Sequence, residues 1–205
     1  MKRQPSIKLV AADPGGATFS VEMPEKATLK PISSSDEKAL AAFFRELSHQ
    51  TRRFYSVTDA ESLAHDHCAA IARYDKLRLV LRSATKDPIV ALVEFSFDLT
   101  AGDVERFASH GCDLRPETDC RWGLCVADQW QGRGVGTALA HPSFEIARRF
   151  GRERIILWGG VHAANSTAVR YYRKVGFAET GRFANDDGID CVDMLRQLGR
   201  SRASQ

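Results

Sequence analysis

The sequence lacks the features that mark membrane, secreted and nucleic-acid-binding proteins. Its 205 residues contain no run of about 18 apolar residues, so no helix is predicted to cross a membrane. No long apolar run follows the basic residues 1–5, so no secretory signal is predicted. The formal net charge of +3 is close to neutral, which argues against a dedicated nucleic-acid-binding protein.

The sequence also lacks the cysteine pattern of a disulfide framework. The five cysteines are Cys68, Cys112, Cys120, Cys125 and Cys191. They are odd in number and form no C-x-x-C pair, so we expect reduced thiols and a cytoplasmic protein. The rest of the composition is ordinary for a globular protein, with 43% hydrophobic and 27% charged residues. The length fits one domain with a sizeable core.

The order of periodic segments predicts an α/β structure with a mixed sheet. Residues 1–26 are expected to form an N-terminal extension with a turn and a short hairpin, residues 27–198 the main domain, and residues 199–205 a disordered tail. Helices are predicted near 36–48, 58–74, 135–150 and 165–175. Strands are predicted near 28–32, 77–82, 89–97, 120–126, 154–158, 177–183 and 191–195. Residues 99–119 are predicted to be a long acidic loop, and Pro142 is predicted to bend its helix.

The most informative segment is the run Gln-Gly-Arg-Gly-Val-Gly at 131–136, between a predicted strand and a predicted helix. Three glycines in five positions let several backbone N–H groups point at one anion, beside the positive end of a helix. A nucleotide P-loop is excluded because Thr137 and Ala138 stand where Lys and Ser or Thr are needed. A dinucleotide fingerprint is disfavoured because Thr137 replaces its third glycine. A turn without a ligand remains the alternative.

A second block, from Asn165 to Phe177, begins 29 residues after Gly136 (165 − 136). It fits the pattern N-x-x-A-x-x-x-Y-x-x-x-G-F, and residues 131–136 fit Q/R-x-x-G-x-G/A. With both motifs in this order, the chain resembles the GCN5-related N-acetyltransferase superfamily. The resemblance covers residues 124–177 by motif and about 28–195 by the order of elements.

The resemblance implies a mixed, mostly antiparallel central sheet flanked by helices, with a V-shaped cleft for the cofactor. It implies acetyl-CoA as cosubstrate and acetyl transfer to a primary amine. No residue pair in the sequence suggests a Cys-His or Ser-His-Asp site, so direct transfer in a ternary complex is expected, and no metal is expected. The residues that the resemblance implies for cofactor binding are Leu124, Cys125, Val126, Gln131, Gly132, Arg133, Gly134, Val135, Gly136, Thr137 and Asn165. Residues 124–126 would act through their main chain, so Cys125 is expected to be a packing thiol. Asn165 caps a helix, contacts the cofactor, or does both.

Two side chains are candidates for the chemistry. The resemblance implies that Tyr172 donates a proton to the departing thiolate, and the alternative is a core aromatic. Glu94 is the first candidate for the general base because an acid within an apolar strand is uncommon unless it is paired or functional. The alternatives are pairing with an arginine, exposure to solvent, Asp98 as the base, or proton loss through ordered water. The run 65–68, His-Asp-His-Cys, is not expected to bind metal because residues two apart diverge on a helix.

The acceptor is expected to be an amine-bearing small molecule or protein, with no nucleic-acid or membrane partner. The acids within 99–119 favour a cationic amine such as a polyamine, an aminoglycoside or a protein lysine. Two other function classes stay open: a non-catalytic acyl-CoA-binding regulatory module and a nucleotide-dependent oxidoreductase, which the incomplete fingerprint disfavours. A homodimer is an expectation from the family alone.

Overall fold

The computed structural model describes residues 6–13, 16–22, 27–73, 75–83 and 88–199, and only the backbone of 6–13 and 16–22. The strands are β1 (Ser6–Asp13), β2 (Gly16–Glu22), β3 (Ala27–Pro31), β4 (Lys76–Ser83), β5 (Ile89–Ser96), β6 (Asp119–Val126), β7 (Arg154–Leu157), β8 (Val161–His162), β9 (Ala178–Ala184) and β10 (Asp190–Gln197). The helices are α1 (Glu37–Glu46), α2 (His49–Phe54), α3 (Ala60–Ala69), α4 (Ala101–Ser109), α5 (Val135–Arg149) and α6 (Ser166–Lys174). The predicted helices and strands are confirmed, with boundaries that differ by a few residues.

The strands form two sheets. β1 and β2 pair antiparallel, which confirms the hairpin predicted for the N-terminal extension. The other eight strands follow the order β3-β4-β5-β6-β7-β10-β8, with β9 paired to β10. β6 and β7 are parallel, whereas β10 is antiparallel to β7, β8 and β9. The predicted mixed, mostly antiparallel sheet is therefore confirmed.

The chain divides into two compact units, which we describe separately. The first contains Met1–Glu94 and Leu124–Ile146, and the second contains Phe95–Gly123 and Ala147–Gln205. The predicted domain boundaries after residues 26 and 198 stay predictions.

The core of the first unit is formed by the apolar face of α1 with residues of α3 and β5. Leu40, Phe43, Phe44 and Leu47 recur at helical spacing, and all four are buried. They pack in one cluster with Ala64, Cys68 and Leu92. Burying a side chain of this size stabilises the fold by about 1.5–3 kcal/mol, so this face fixes α1 in the unit.

Two short helices depart from the sequence predictions. The predicted loop 99–119 is wrong in part, because α4 occupies Ala101–Ser109. Thr100 and Asp103 form a capping box at its start, and the apolar Phe107 is buried on its inner face. The acids of this segment suggested a solvated loop, but Asp103 is buried as a helix cap. The other helix is α2, whose six residues are too few to show a helical period.

Helix α5 continues through Pro142. A proline has no N–H to offer the carbonyl four residues earlier, here that of Ala138. The next residue, Ser143, donates its hydroxyl to the Leu139 carbonyl at 2.7 Å. The predicted bend stays a prediction. Of the helices in the described ranges, none is both long and apolar enough to span a membrane.

A buried ion pair holds the start of β6 to the start of β7 in the second unit. Arg154 donates to both oxygens of Asp119, at 2.7 and 2.5 Å, and Asp119 is fully buried. The Arg115 N–H also donates to Asp119, at 2.6 Å. Removing one partner of such a pair leaves a buried charge without compensation.

We therefore expect Asp119→Ala to lower the free energy of unfolding by about 3–5 kcal/mol. The matched control is Glu179→Ala, which removes the carboxylate of the more exposed pair with Arg173 and should cost less than about 1 kcal/mol. Urea denaturation of both variants gives the two values. Equal losses in the two variants would contradict a stabilising role for the buried pair.

Candidate active site

The glycine run lies in the first unit as an exposed loop that opens α5. Gly132 and Gly134 have φ angles of +68° and +86°, a left-handed conformation that favours glycine. A Cβ at Gly132 would meet nothing within 4 Å, so the space beside that backbone is open. Val135, the first residue of α5, is buried and anchors the helix start. The loop thus presents main chain to an open space beside the positive end of a helix, as an anion site requires.

Side chains around the loop make contacts within the protein. The Gln131 side-chain amide donates to the Val126 carbonyl at 2.9 Å and to the Thr51 hydroxyl at 3.4 Å. The Arg133 guanidinium lies 5.6 Å from the centre of the Trp130 ring. Gln131 therefore shapes the loop with its side chain, while Arg133 remains exposed beside it.

The last residues of β6 lead into this loop. Leu124 and Val126 are half-buried, whereas Cys125 is buried in the core of the first unit. Burial is the main cause that raises the pKa of the Cys125 thiol, and the charge of Glu94 adds to it. The thiol therefore stays protonated at neutral pH, which agrees with the predicted packing role.

Glu94 lies near the end of β5 and is surrounded by donors of the first unit. Arg78 Nε donates to its Oε1 at 2.8 Å, and His67 Nε2 lies 2.8 Å from the same oxygen. The Tyr55 hydroxyl donates to Oε2. All of these polar atoms belong to side chains that are largely withdrawn from solvent.

The environment of Glu94 makes it a weak base. Burial acts to raise the pKa of its carboxyl, but the hydrogen bond and charge of His67, the charge of Arg78 and the hydrogen bond of Tyr55 outweigh it. The pKa therefore falls from 4.5 to about 2. These contacts favour the alternative in which Glu94 is a paired carboxylate.

The histidines of the run 65–68 point to different surroundings. His67 is buried beside Glu94, whereas His65 is exposed and lies 3.4 Å from Glu37. Among the residues that the structure describes, no group of three or more His, Cys, Asp and Glu side chains is arranged to hold a metal ion.

Asn165 and Tyr172 lie in the second unit, Asn165 directly before α6 and Tyr172 on it. The Asn165 side chain accepts from the Ala168 N–H at 3.1 Å, so its capping role is confirmed. The Tyr172 ring is half-buried and lies edge-on to Trp122 and Phe177, with centroid distances of 6.1 and 5.6 Å. Trp122 is itself fully buried and stacks on Phe177. This aromatic cluster fixes the ring and leaves both predicted roles of Tyr172 open.

Several residues that shape the site belong to no sequence motif. The partners of Glu94 lie 16, 27 and 39 positions away in sequence, and only the fold brings them together. Asp128, which precedes the loop, is bonded to Ser48 and Thr51 across about 80 positions. The predicted reserve base, Asp98, is exposed after β5. No sequence pattern pointed to the first two sets of contacts.

Comparisons with known proteins agree with this geometry. The family described as "Acetyltransferase (GNAT) family" matches residues 40–177. An uncharacterised N-acetyltransferase of Methanocaldococcus jannaschii is 41% identical over 56 residues, which are 27% of this chain and 24% of that protein. The matched part thus spans about a quarter of that relative's length.

Solved structures share the fold at lower identity. The GNAT domain of S. lividans PAT is 21% identical with a TM-score of 0.63, over 83% of this chain and 90% of that chain. An aminoglycoside acetyltransferase in complex with coenzyme A and kanamycin is 17% identical with a TM-score of 0.64, over 84% of this chain and 95% of that chain.

The low pKa of Glu94 predicts a contribution to stability that depends on pH. A carboxylate with a depressed pKa stabilises the folded state above its unfolded pKa of 4.5, and this contribution is lost as the pH falls toward 2. Between pH 5 and pH 3 we expect the wild type to lose about 2 kcal/mol more than Glu94→Gln. Denaturant unfolding at several pH values measures the difference.

The control for this pH series is Glu117→Gln, which removes an exposed carboxylate. It should follow the wild-type profile. If Glu94→Gln also followed the wild type, the carboxylate of Glu94 would not be stabilised by its neighbours in the way that the contacts indicate.

Proposed function

Since the chain belongs to the acetyltransferase (GNAT) family, we propose that it transfers an acetyl group from acetyl-CoA to a primary amine. The observation that carries this proposal is the glycine loop at the start of α5. The left-handed Gly132 and Gly134, and the open space beside Gly132, support a loop whose main-chain N–H groups would bind a pyrophosphate. A structural neighbour was solved with coenzyme A, which supports acyl-CoA as the ligand.

We assign cofactor binding mainly to backbone groups of the loop and of the end of β6. The loop residues Gln131 to Thr137 would bind the pyrophosphate, and the main chain of 124–126 would bind the amides of the pantetheine arm. This division agrees with a buried Cys125 side chain and with a Gln131 side chain that is used within the protein. Asn165 would add a polar contact to its capping role.

The reaction is direct attack of the amine nitrogen on the thioester carbonyl. A C–N bond forms, the C–S bond breaks, and the thiolate of coenzyme A leaves. Tyr172 would donate a proton to that thiolate. With a thiol pKa of about 8.5 and a phenol pKa of about 10, this transfer is uphill by only about 1.5 pKa units. The aromatic cluster around Trp122 would hold the ring for this step.

The amine must lose a proton, and Glu94 was the first candidate to accept it. A carboxylate with a pKa of about 2 is poorly matched to an amine with a pKa of about 10.4. We therefore favour proton loss through ordered water, with Glu94 as a paired carboxylate.

The acceptor is proposed only as a class: an amine on a small molecule or a protein. The solved neighbour with kanamycin supports an amine-bearing small molecule. The acids of 99–119 support a cationic acceptor less strongly than the sequence suggested, because Asp103 and Asp119 are buried in internal ion pairs. Glu105, Asp113 and Glu117 remain exposed on that segment.

The cofactor proposal is tested by the loop glycines. We expect Gly132→Ala to raise the acetyl-CoA dissociation constant at least tenfold, because its Cβ would occupy the space that a phosphate needs. Gly188→Ala is a matched control, with a φ of +73° and no atom within 4 Å of an added Cβ, in the turn between β9 and β10.

Both alanines should cost similar stability, since the backbone strain is the same in kind. Isothermal titration with acetyl-CoA measures the affinities, and thermal unfolding measures the stabilities. Equal acetyl-CoA affinity in the two variants would remove the loop from the proposed site.

The catalytic proposal is tested by Tyr172→Phe. We expect kcat to fall about 100-fold or more while the acetyl-CoA dissociation constant stays within about twofold, because only proton donation is lost. Tyr171→Phe, on the next position of the same helix, should keep kcat near the wild-type value. Steady-state assays with a panel of amines give both numbers.

This pair of variants also separates an enzyme from a regulatory module. A wild-type protein that binds acetyl-CoA but acetylates no amine in the panel would favour the non-catalytic alternative. A Tyr172→Phe variant with unchanged kcat would assign the proton to another donor.

A further inference from the structure

The carboxylate of Asp128 lies at the base of the glycine loop. Asp128 begins a 3-10 turn, Asp128–Trp130, that joins β6 to the loop. Its carboxylate accepts from the Ser48 N–H at 2.9 Å, from the Ser48 hydroxyl at 2.7 Å and from the Thr51 hydroxyl at 2.7 Å. All three donors lie at the N-terminal end of α2, so this end of α2 is bonded to the base of the loop.

Thr51 extends this connection to the loop itself. Its hydroxyl donates to Asp128 and lies 3.4 Å from the Gln131 amide nitrogen, which donates to it. The same amide donates to the Val126 carbonyl at 2.9 Å. An amide has two N–H groups, so Gln131 can satisfy both acceptors at once. A continuous hydrogen-bond path therefore connects α2 to Val126, before the turn Asp128–Trp130, and to Gln131, after that turn.

The charge of Asp128 indicates that it positions the loop and does not bind the cofactor. A free carboxylate four residues before Gly132 would repel a pyrophosphate. Here its charge is compensated by three donors of α2, and these bonds lower the pKa of Asp128 although burial acts to raise it. Charge-assisted bonds of this kind are stronger and more directional than neutral ones.

The other end of α2 is also fixed. Tyr55, directly after α2, donates its hydroxyl to Glu94, which Arg78 and His67 hold in turn. Ser56 follows with a φ of +55°, an uncommon conformation for a residue other than glycine. The six residues of α2 are thus held between the base of the glycine loop and the buried carboxylate of β5.

We propose that Asp128, Thr51 and Gln131 form a positioning cluster that holds the glycine loop in its acyl-CoA-binding shape. Through this cluster, binding of acyl-CoA to the loop is coupled to the order of α2. This inference rests on the proposed function, because it takes acyl-CoA as the ligand of the loop. It adds that α2, which contributes no motif, sets part of the cofactor affinity. By linkage, bound acyl-CoA then stabilises α2.

The decisive variant is Thr51→Val, which removes the bridging hydroxyl and keeps the side-chain shape and net charge. We expect its acetyl-CoA dissociation constant to rise about tenfold by isothermal titration, since the bonds that the hydroxyl makes with Asp128, Gln131 and Ser48 are lost. Thr58→Val is the matched control: Thr58 is exposed between α2 and α3, and its variant should bind acetyl-CoA like the wild type.

Hydrogen exchange gives a readout that a purely structural role would not change. In the wild type, acetyl-CoA should slow exchange of the amides of residues 49–54 as well as those of the loop. In Thr51→Val, saturating acetyl-CoA should slow exchange in the loop alone. Protection of α2 to the same extent in both proteins would overturn the proposed coupling between the loop and α2.

A second pair of variants guards against a simple folding defect. Asp128→Ala removes the carboxylate that accepts from Ser48 and Thr51 at the start of α2. Asp59→Ala removes the cap of α3, where Asp59 accepts from the Ser62 N–H at 2.6 Å. Both should cost similar stability, and only Asp128→Ala should weaken acetyl-CoA binding. Equal acetyl-CoA affinity in these two variants would reject the positioning cluster. A wild-type protein that does not bind acetyl-CoA would instead reject the proposed function.

Discussion

A carboxylate can be buried only where a cation or several donors compensate its charge, and this requirement organises each unit of the protein. In the first unit, Glu94 is held by Arg78 and His67. In the second unit, Asp119 is held by Arg154, and Asp193 by Arg106 at 2.7 Å. Each pair joins two different helices or strands, so these charges act as fixed points between them.

The need to compensate a buried charge also determines how basic Glu94 is. Desolvation alone would make Glu94 a stronger base, which is how an acid in an apolar strand becomes a candidate for proton transfer. Its neighbours reverse that effect, and the carboxylate becomes an anchor for the segment after α2. The exposed Asp128 shows the same use of a carboxylate, since its donors come from α2. Asp128 and Glu94 therefore contact the two ends of one short helix.

The sequence predicted the parts of the molecule that depend on local rules. The left-handed glycines and the Asn165 cap follow from residue type and spacing. The loop and α6 could therefore be predicted from the sequence alone. The partners of Glu94 could not, because nothing local relates a glutamate to a tyrosine 39 positions earlier. The solvated loop predicted for residues 99–119 is wrong at Asp103 for the same reason, because the pattern of acids does not reveal the arginine partners of its carboxylate.

The left-handed glycines have a consequence for how such a site is recognised among proteins. A loop that offers its backbone to a ligand can use its side chains for contacts within the protein, and the Gln131 side chain makes such a contact with Val126. Substitutions can then accumulate around it as long as the backbone path is kept. This fits a chain that shares a fold with solved structures at 17–21% identity. For a loop of this kind, the path of the main chain is therefore a better basis for comparison between proteins than the side chains beside it.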